Sequence, residues 1–152
     1  MYDAVVTIFN RYESGLGVTW HPSVLRNVNL LIDKSAINER YGAESKDLAV
    51  LNVRVVRPDN IIQGINPKVW MPPKEWTRQL KDEMSKYITF SSGQSFDFFM
   101  LGEWKGENPI NDEDYGIRGF YDYMVNNFDN VFAITSVSGP FSVIPHFEIT
   151  GR

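Results

Sequence analysis

Residues 131–150 constrain this chain more than any other stretch, because they alternate. Val131, Ala133, Thr135 and Val137 interleave with Phe132, Ile134 and Ser136. After Ser138-Gly139-Pro140, Phe141, Val143, Pro145, Phe147 and Ile149 interleave with Ser142, Ile144, His146, Glu148 and Thr150. A period of two sends successive side chains to opposite faces of a strand. A break rich in Gly and Pro between two such runs reads as a hairpin turn. The pattern predicts strands over 131–137 and 141–150, with the turn at 138–140. Pro145 has no N–H, which places the second strand at a sheet edge or on a bulge. An edge strand offers unpaired backbone groups to another chain.

The same period recurs upstream. The β-branched run after Tyr2 predicts a strand over 4–10, and Gly15 and Gly17 mark a turn. Pro22 excludes a helix and predicts an interruption, with a strand following over 23–31. The clearest strand of the first half is 48–57, where Ala49, Leu51, Val53 and Val55 share one face and Asn52 and Arg54 the other. Pro58-Asp59-Asn60 turns the chain, and one or two short strands follow around Gly64 and Pro67. Further strands are predicted over 87–90 and 96–104.

Three segments read as helices. Residues 33–42 carry a Ser35 cap and a Gly42 stop. Residues 74–86 space Trp76, Leu80, Met84 and Tyr87 at three or four. Residues 118–128 do the same with Phe120, Tyr123, Met124 and Phe128. With 152 residues and no linker, repeat or low-complexity tract, the chain reads as one domain over 1–152. The expected fold is mainly β, a small antiparallel barrel or sandwich with helical insertions at about 72–86 and 118–128.

Composition narrows the function. A hydrophobic share of 43% with 14% aromatics supports a core and argues against disorder. A net charge of −4 does not point to sequence-specific nucleic-acid binding. The absence of cysteine removes disulfides, thiolate metal sites and a cysteine nucleophile. The first residues lack a basic stretch followed by a long apolar one, so no signal peptide is expected. No apolar run approaches ~18 residues, so no membrane span is expected either.

Candidate chemistry is sparse. His21, His146 and Glu148 supply metal-ligand atom types, but strand-surface hydrogen bonding is the simpler reading. Asn111 to Gly116 carries Asp112, Glu113 and Asp114, without the spacing or terminal Glu of a calcium loop. Gly15-Leu16-Gly17 lacks the third glycine of a dinucleotide loop. Ser91, Ser92 and Ser95 sit in no G-x-S-x-G pattern. Trp20, Trp70, Trp76 and Trp104 leave a carbohydrate-binding or host-binding β-domain as the rival reading. No enzyme, cofactor or metal is expected. The polar loop 105–115 is expected to be a contact element, with Asp112, Glu113 and Asp114 facing a basic neighbour. His146 and Glu148 are expected on the outward face of the last strand, near a subunit contact.

The segment ITSVSGPFSVIPHFEITGR has a strand, a Gly-containing turn and a last strand with Ile144, His146, Phe147, Glu148 and Ile149 before Gly151-Arg152. It resembles the closing hairpin of head-closure or minor capsid proteins, small neck proteins of tailed bacteriophages. FNRYESGLGVTWHPSVLRNVNL, WMPPKEW and FDFFMLGEW are similar to uncharacterised phage and prophage proteins of Gram-positive bacteria. The regions 72–86 and 105–128 depart from short head-closure proteins as insertions, leaving adaptor, closure and tail-side positions such as a tail terminator open. The resemblance implies a structural virion protein, made in the host cytoplasm, that assembles as a homo-oligomeric ring in the neck. Its implied partners are portal or adaptor and tail proteins, with DNA passing through and no membrane. Such rings need head-to-tail contacts between identical chains.

Overall fold

The computed structural model describes residues 2–33 and 48–152. Its elements run β1 (Ala4–Ser14), β2 (Gly17–Ile32), β3 (Ala49–Val56), β4 (Ile61–Ile62), β5 (Lys68–Trp70) and α1 (Pro73–Trp76). A 3-10 helix (Met84–Lys86), β6 (Tyr87–Ile88), β7 (Phe98–Leu101), β8 (Ile110–Asn111) and a second 3-10 helix (Asp112–Tyr115) follow. The chain ends with α2 (Phe120–Asn127), β9 (Val131–Phe141) and β10 (His146–Gly151). The expected helix at 33–42 lies outside the described residues.

Six strands close a barrel in the order β3-β10-β9-β7-β1-β2, with β2 returning to β3, and every neighbour is antiparallel. The mainly β, antiparallel-barrel expectation holds, with two helical insertions. Closure follows from the long, bent β2. Its first half pairs with β1 throughout, and its last residues, Asn29 to Ile32, cross to Asn52 to Ala49 of β3. The inward positions fill the barrel: Val6 and Ile8 and, as predicted from alternation, Leu51, Val53 and Val55, Phe147 and Ile149. A barrel of this strand number is filled by side chains and leaves no channel.

A second apolar layer lies outside the wall. Phe9, Trp20, Phe98 and Met100 point outward and are covered by Phe120 and Met124 of α2. β7 therefore has both faces buried, and its run Phe98-Phe99-Met100 is apolar throughout instead of alternating. A third, small cluster joins Met71, Trp76 and Met84 beneath Tyr12 and Tyr87.

Four expectations need correction. First, the closing hairpin turns at 142–145, and Ser138 to Phe141 continue β9. His146 faces Phe141 and Glu148 faces Ser138, so β9 carries an extra residue there, a bulge at Gly139-Pro140. Gly139 takes φ 114°, and a Cβ would stand 2.8 Å from the His146 carbonyl oxygen. Second, β10 is an inner strand between β3 and β9, so it offers no free edge, and Pro145 sits in the turn. Third, β2 runs unbroken through Pro22, which pairs with Phe9 where the strand's outer side has no ladder partner.

Fourth, the helix expected over 74–86 is one α turn and one 3-10 turn. In a continuous helix Trp76 and Met84 would stand about 12 Å apart along the axis. Both enter the same small cluster, so the chain folds back between them and leaves Leu80 exposed. The helix expected over 118–128 is α2, trimmed at each end.

Candidate interaction surface

Alternating strand directions place the β1–β2, β3–β4 and β9–β10 turns at one end of the barrel. Two of these turns carry apolar side chains into solvent. Leu16 is 90% exposed, Val143 94% and Ile144 67%. Phe141, at the base of the second tip, is partly exposed and packs against His146, the rings tilted with centroids 4.9 Å apart. Neither tip is forced to be apolar by the fold. The hairpins are fixed by their registers and by Gly17 and Gly139, at φ 120° and 114°.

The sequence-derived residues divide. Asp112 is committed internally: one carboxylate oxygen, Oδ1, accepts from Trp20 Nε1 and from the Phe120 N–H, both at 2.8 Å. The Phe120 N–H is one of the free donors at the start of α2, and a carboxylate there is favoured by the helix dipole. Glu113 and Asp114 on the same turn are exposed. Loop 105–115 is therefore anchored to the barrel by Ile110 and Asp112 and presents only part of its acidic surface. Alternation alone could not distinguish Asp112 from its neighbours, because its partners are 92 and 8 residues away.

His146 faces Arg54 across β10 and β3, and its Nδ1 lies 2.6 Å from the Ile144 carbonyl oxygen. Glu148 is exposed, between Asn52 on one side and Ser138 on the other. These two therefore share the outer face of the barrel wall, away from the acidic turn. His21 lies on β2 and His146 on β10, with β3 between the two strands. Among the described residues no group of three or more His, Asp or Glu side chains is placed to hold a metal ion.

Two buried polar groups went unnoticed in the sequence. Asp97 is 1% exposed. It accepts from the Arg11 N–H at 2.8 Å and from Asn10 Nδ2 at 2.9 Å, while Asn10 also donates to the Thr89 carbonyl. Burial pushes its carboxyl up to about 7, against the opposing pull of those donors. Lys68 is likewise buried, donating to Ser23 Oγ at 2.6 Å and to the Pro22 carbonyl at 3.3 Å. Burial lowers its pKa and, with the nearby Lys68 charge, lowers that of His21 to about 4. His21 packs edge-on against Tyr12 and Trp76. Lys68 beside Ser23 has the atom types of a base and a nucleophile. Both are buried, and their hydrogen bond ties β5 to β2.

The tryptophans do not form a sugar-binding platform. Trp20 and Trp76 are buried, Trp104 packs edge-on against Phe9 and Phe120, and Trp70 lies against Phe147. Among the described residues no helix is long and apolar enough to cross a membrane. A scan against family models and searches of curated proteins and of solved structures each found no match.

Proposed function

We propose that this chain is a structural subunit of a tailed-phage virion, assembling as a ring in the neck that joins the capsid portal to the tail. The observation that carries this reading is the pair of apolar turn tips, Leu16 and Val143-Ile144, at one end of a closed barrel. Exposed apolar patches of this kind mark protein contacts. The resemblance of the closing hairpin to phage neck proteins supplies the assembly. Because β10 is an inner strand, the closing hairpin engages a neighbouring subunit through side chains at its tip and not by adding a strand. Such contacts are heterologous, and in a ring each tip meets a different surface of the next copy.

The test is the double variant Val143→Ser/Ile144→Ser. Both residues lie in the turn, so melting temperature and far-ultraviolet circular dichroism should match the parent. Incorporation into particles, read by negative-stain microscopy and particle composition, should fail. Normal incorporation of the folded variant would remove the tips from the interface. A single copy per particle would end the ring reading.

A further inference from the structure

The barrel wall has a gap between β2 and β3. Their pairing stops at Asn29 and Asn52, while β3 resumes pairing, with β4, only at Val55. On the β2 side the next contact is the bridge from Leu25 to Gly64. Arg26 to Val28 therefore face Val53 and Arg54 across an opening with no ladder bonds between them. The cause is local. Asn27 sits at φ 58°, the extra residue where the β1 register passes from Ala4–Val28 to Val5–Arg26, so β2 bends away from β3. Gly64 closes the upper end; only a glycine fits, since a Cβ would stand 2.1 Å from the Val24 carbonyl oxygen.

The opening is a cavity of about 200 Å³ with Val28 and Val53 at its floor. Arg26 and Asn27 of β2, Arg54 of β3 and Gln63 complete its lining. Arg54 is held in place by Tyr2, whose ring centroid lies 4.0 Å from the guanidinium carbon. Among the described residues no carboxylate lies within ion-pair distance of Arg54. Arg26 has Glu103 at 3.6 Å, a pair with both side chains about half exposed, which holds weakly.

We infer that this window is a binding site for a phosphate group. Two arginines lining one small cavity supply charge-assisted donors for a phosphate oxyanion, and the two side-chain amides add neutral hydrogen-bonding groups. The volume is below the roughly 300–1,000 Å³ of sites that enclose drug-sized ligands, which suits one small anion with its water. The site lies on the barrel wall, where Arg54 pairs with His146 at the base of the β9–β10 turn, and the inference does not depend on the assembly reading.

The experiment is a titration with inorganic phosphate at constant ionic strength, followed through the arginine Nε–Hε resonances. Arg26 and Arg54 should shift together and saturate. Arg54→Gln and Arg26→Gln, both at exposed positions, should each weaken binding by about tenfold, the loss of one charge-assisted contact. Arg57→Gln should keep parent affinity, since Arg57 is engaged with Asn60 across the β3–β4 turn. A short DNA duplex run as a competitor assigns the source: displacement identifies a nucleic-acid backbone, and no displacement identifies free phosphate or a monoester. Absence of saturation, equal weakening by Arg57→Gln, or acetate binding as tightly as phosphate would each overturn the inference.

Discussion

Asp97→Asn should convert a stability that is nearly flat between pH 4 and 6.5 into one that rises with pH. Asp97 titrates at about 7 in the folded chain against an ordinary 3.8, so the folded state holds its proton where the unfolded state has lost it. At about 1.36 kcal/mol per pH unit, that interval corresponds to about 4 kcal/mol. This contribution is fully present below pH 3.8 and is lost as pH rises through 7. His21 works in the opposite sense. Its pKa falls from 6.5 to about 4, so its contribution is present above 6.5 and is lost as pH falls through 4. That interval corresponds to about 3 kcal/mol. Between pH 4 and 6.5 the two slopes oppose one another, and the parent shows little net dependence from this pair. Asparagine keeps the shape and an acceptor for the Arg11 N–H but removes the titration. Urea denaturation followed by tryptophan fluorescence, from pH 4 to 8, measures both proteins. The variant should gain on the parent by about 4 kcal/mol across that range. A difference that is flat with pH, or that moves against the variant as pH rises, would refute the reasoning. It would mean that the Arg11 and Asn10 donors outweigh burial and hold Asp97 as an anion.

Three further outcomes are expected. His21→Gln should remove the loss of stability between pH 6.5 and 4, leaving the Asp97 slope exposed in the same denaturation series. Asp112→Ala should cost about 2–3 kcal/mol in chemical denaturation by leaving the Trp20 Nε1 and Phe120 N–H donors unpaired, whereas Glu113→Asn and Asp114→Asn should stay within about 0.5 kcal/mol. Gly139→Ala should lower stability by about 1–3 kcal/mol, because the position needs a positive φ and the added Cβ meets the His146 carbonyl; an unchanged melting temperature would show that the bulge relaxes freely.

Alternation by itself determined the class of fold and the barrel core. Ala49, Leu51, Val53 and Val55 were legible as an inward face because a half-buried strand imposes a period of two on its own sequence, and so were Phe147 and Ile149. Where a strand is buried on both faces, as at Phe98 and Phe99, the signal vanishes, since nothing in the chain says that α2 will cover the outer side. Neighbours in space decided the rest. Ser138-Gly139-Pro140 has turn chemistry, yet the pairing of β10 with both β3 and β9 makes it a bulge. The apolar spacing of 74–86 suits a helix, yet a shared cluster for Trp76 and Met84 breaks it. Asp97, Asp112 and the Arg26–Arg54 window are assembled from residues many positions apart, so their partners and burial exist only once the barrel has closed.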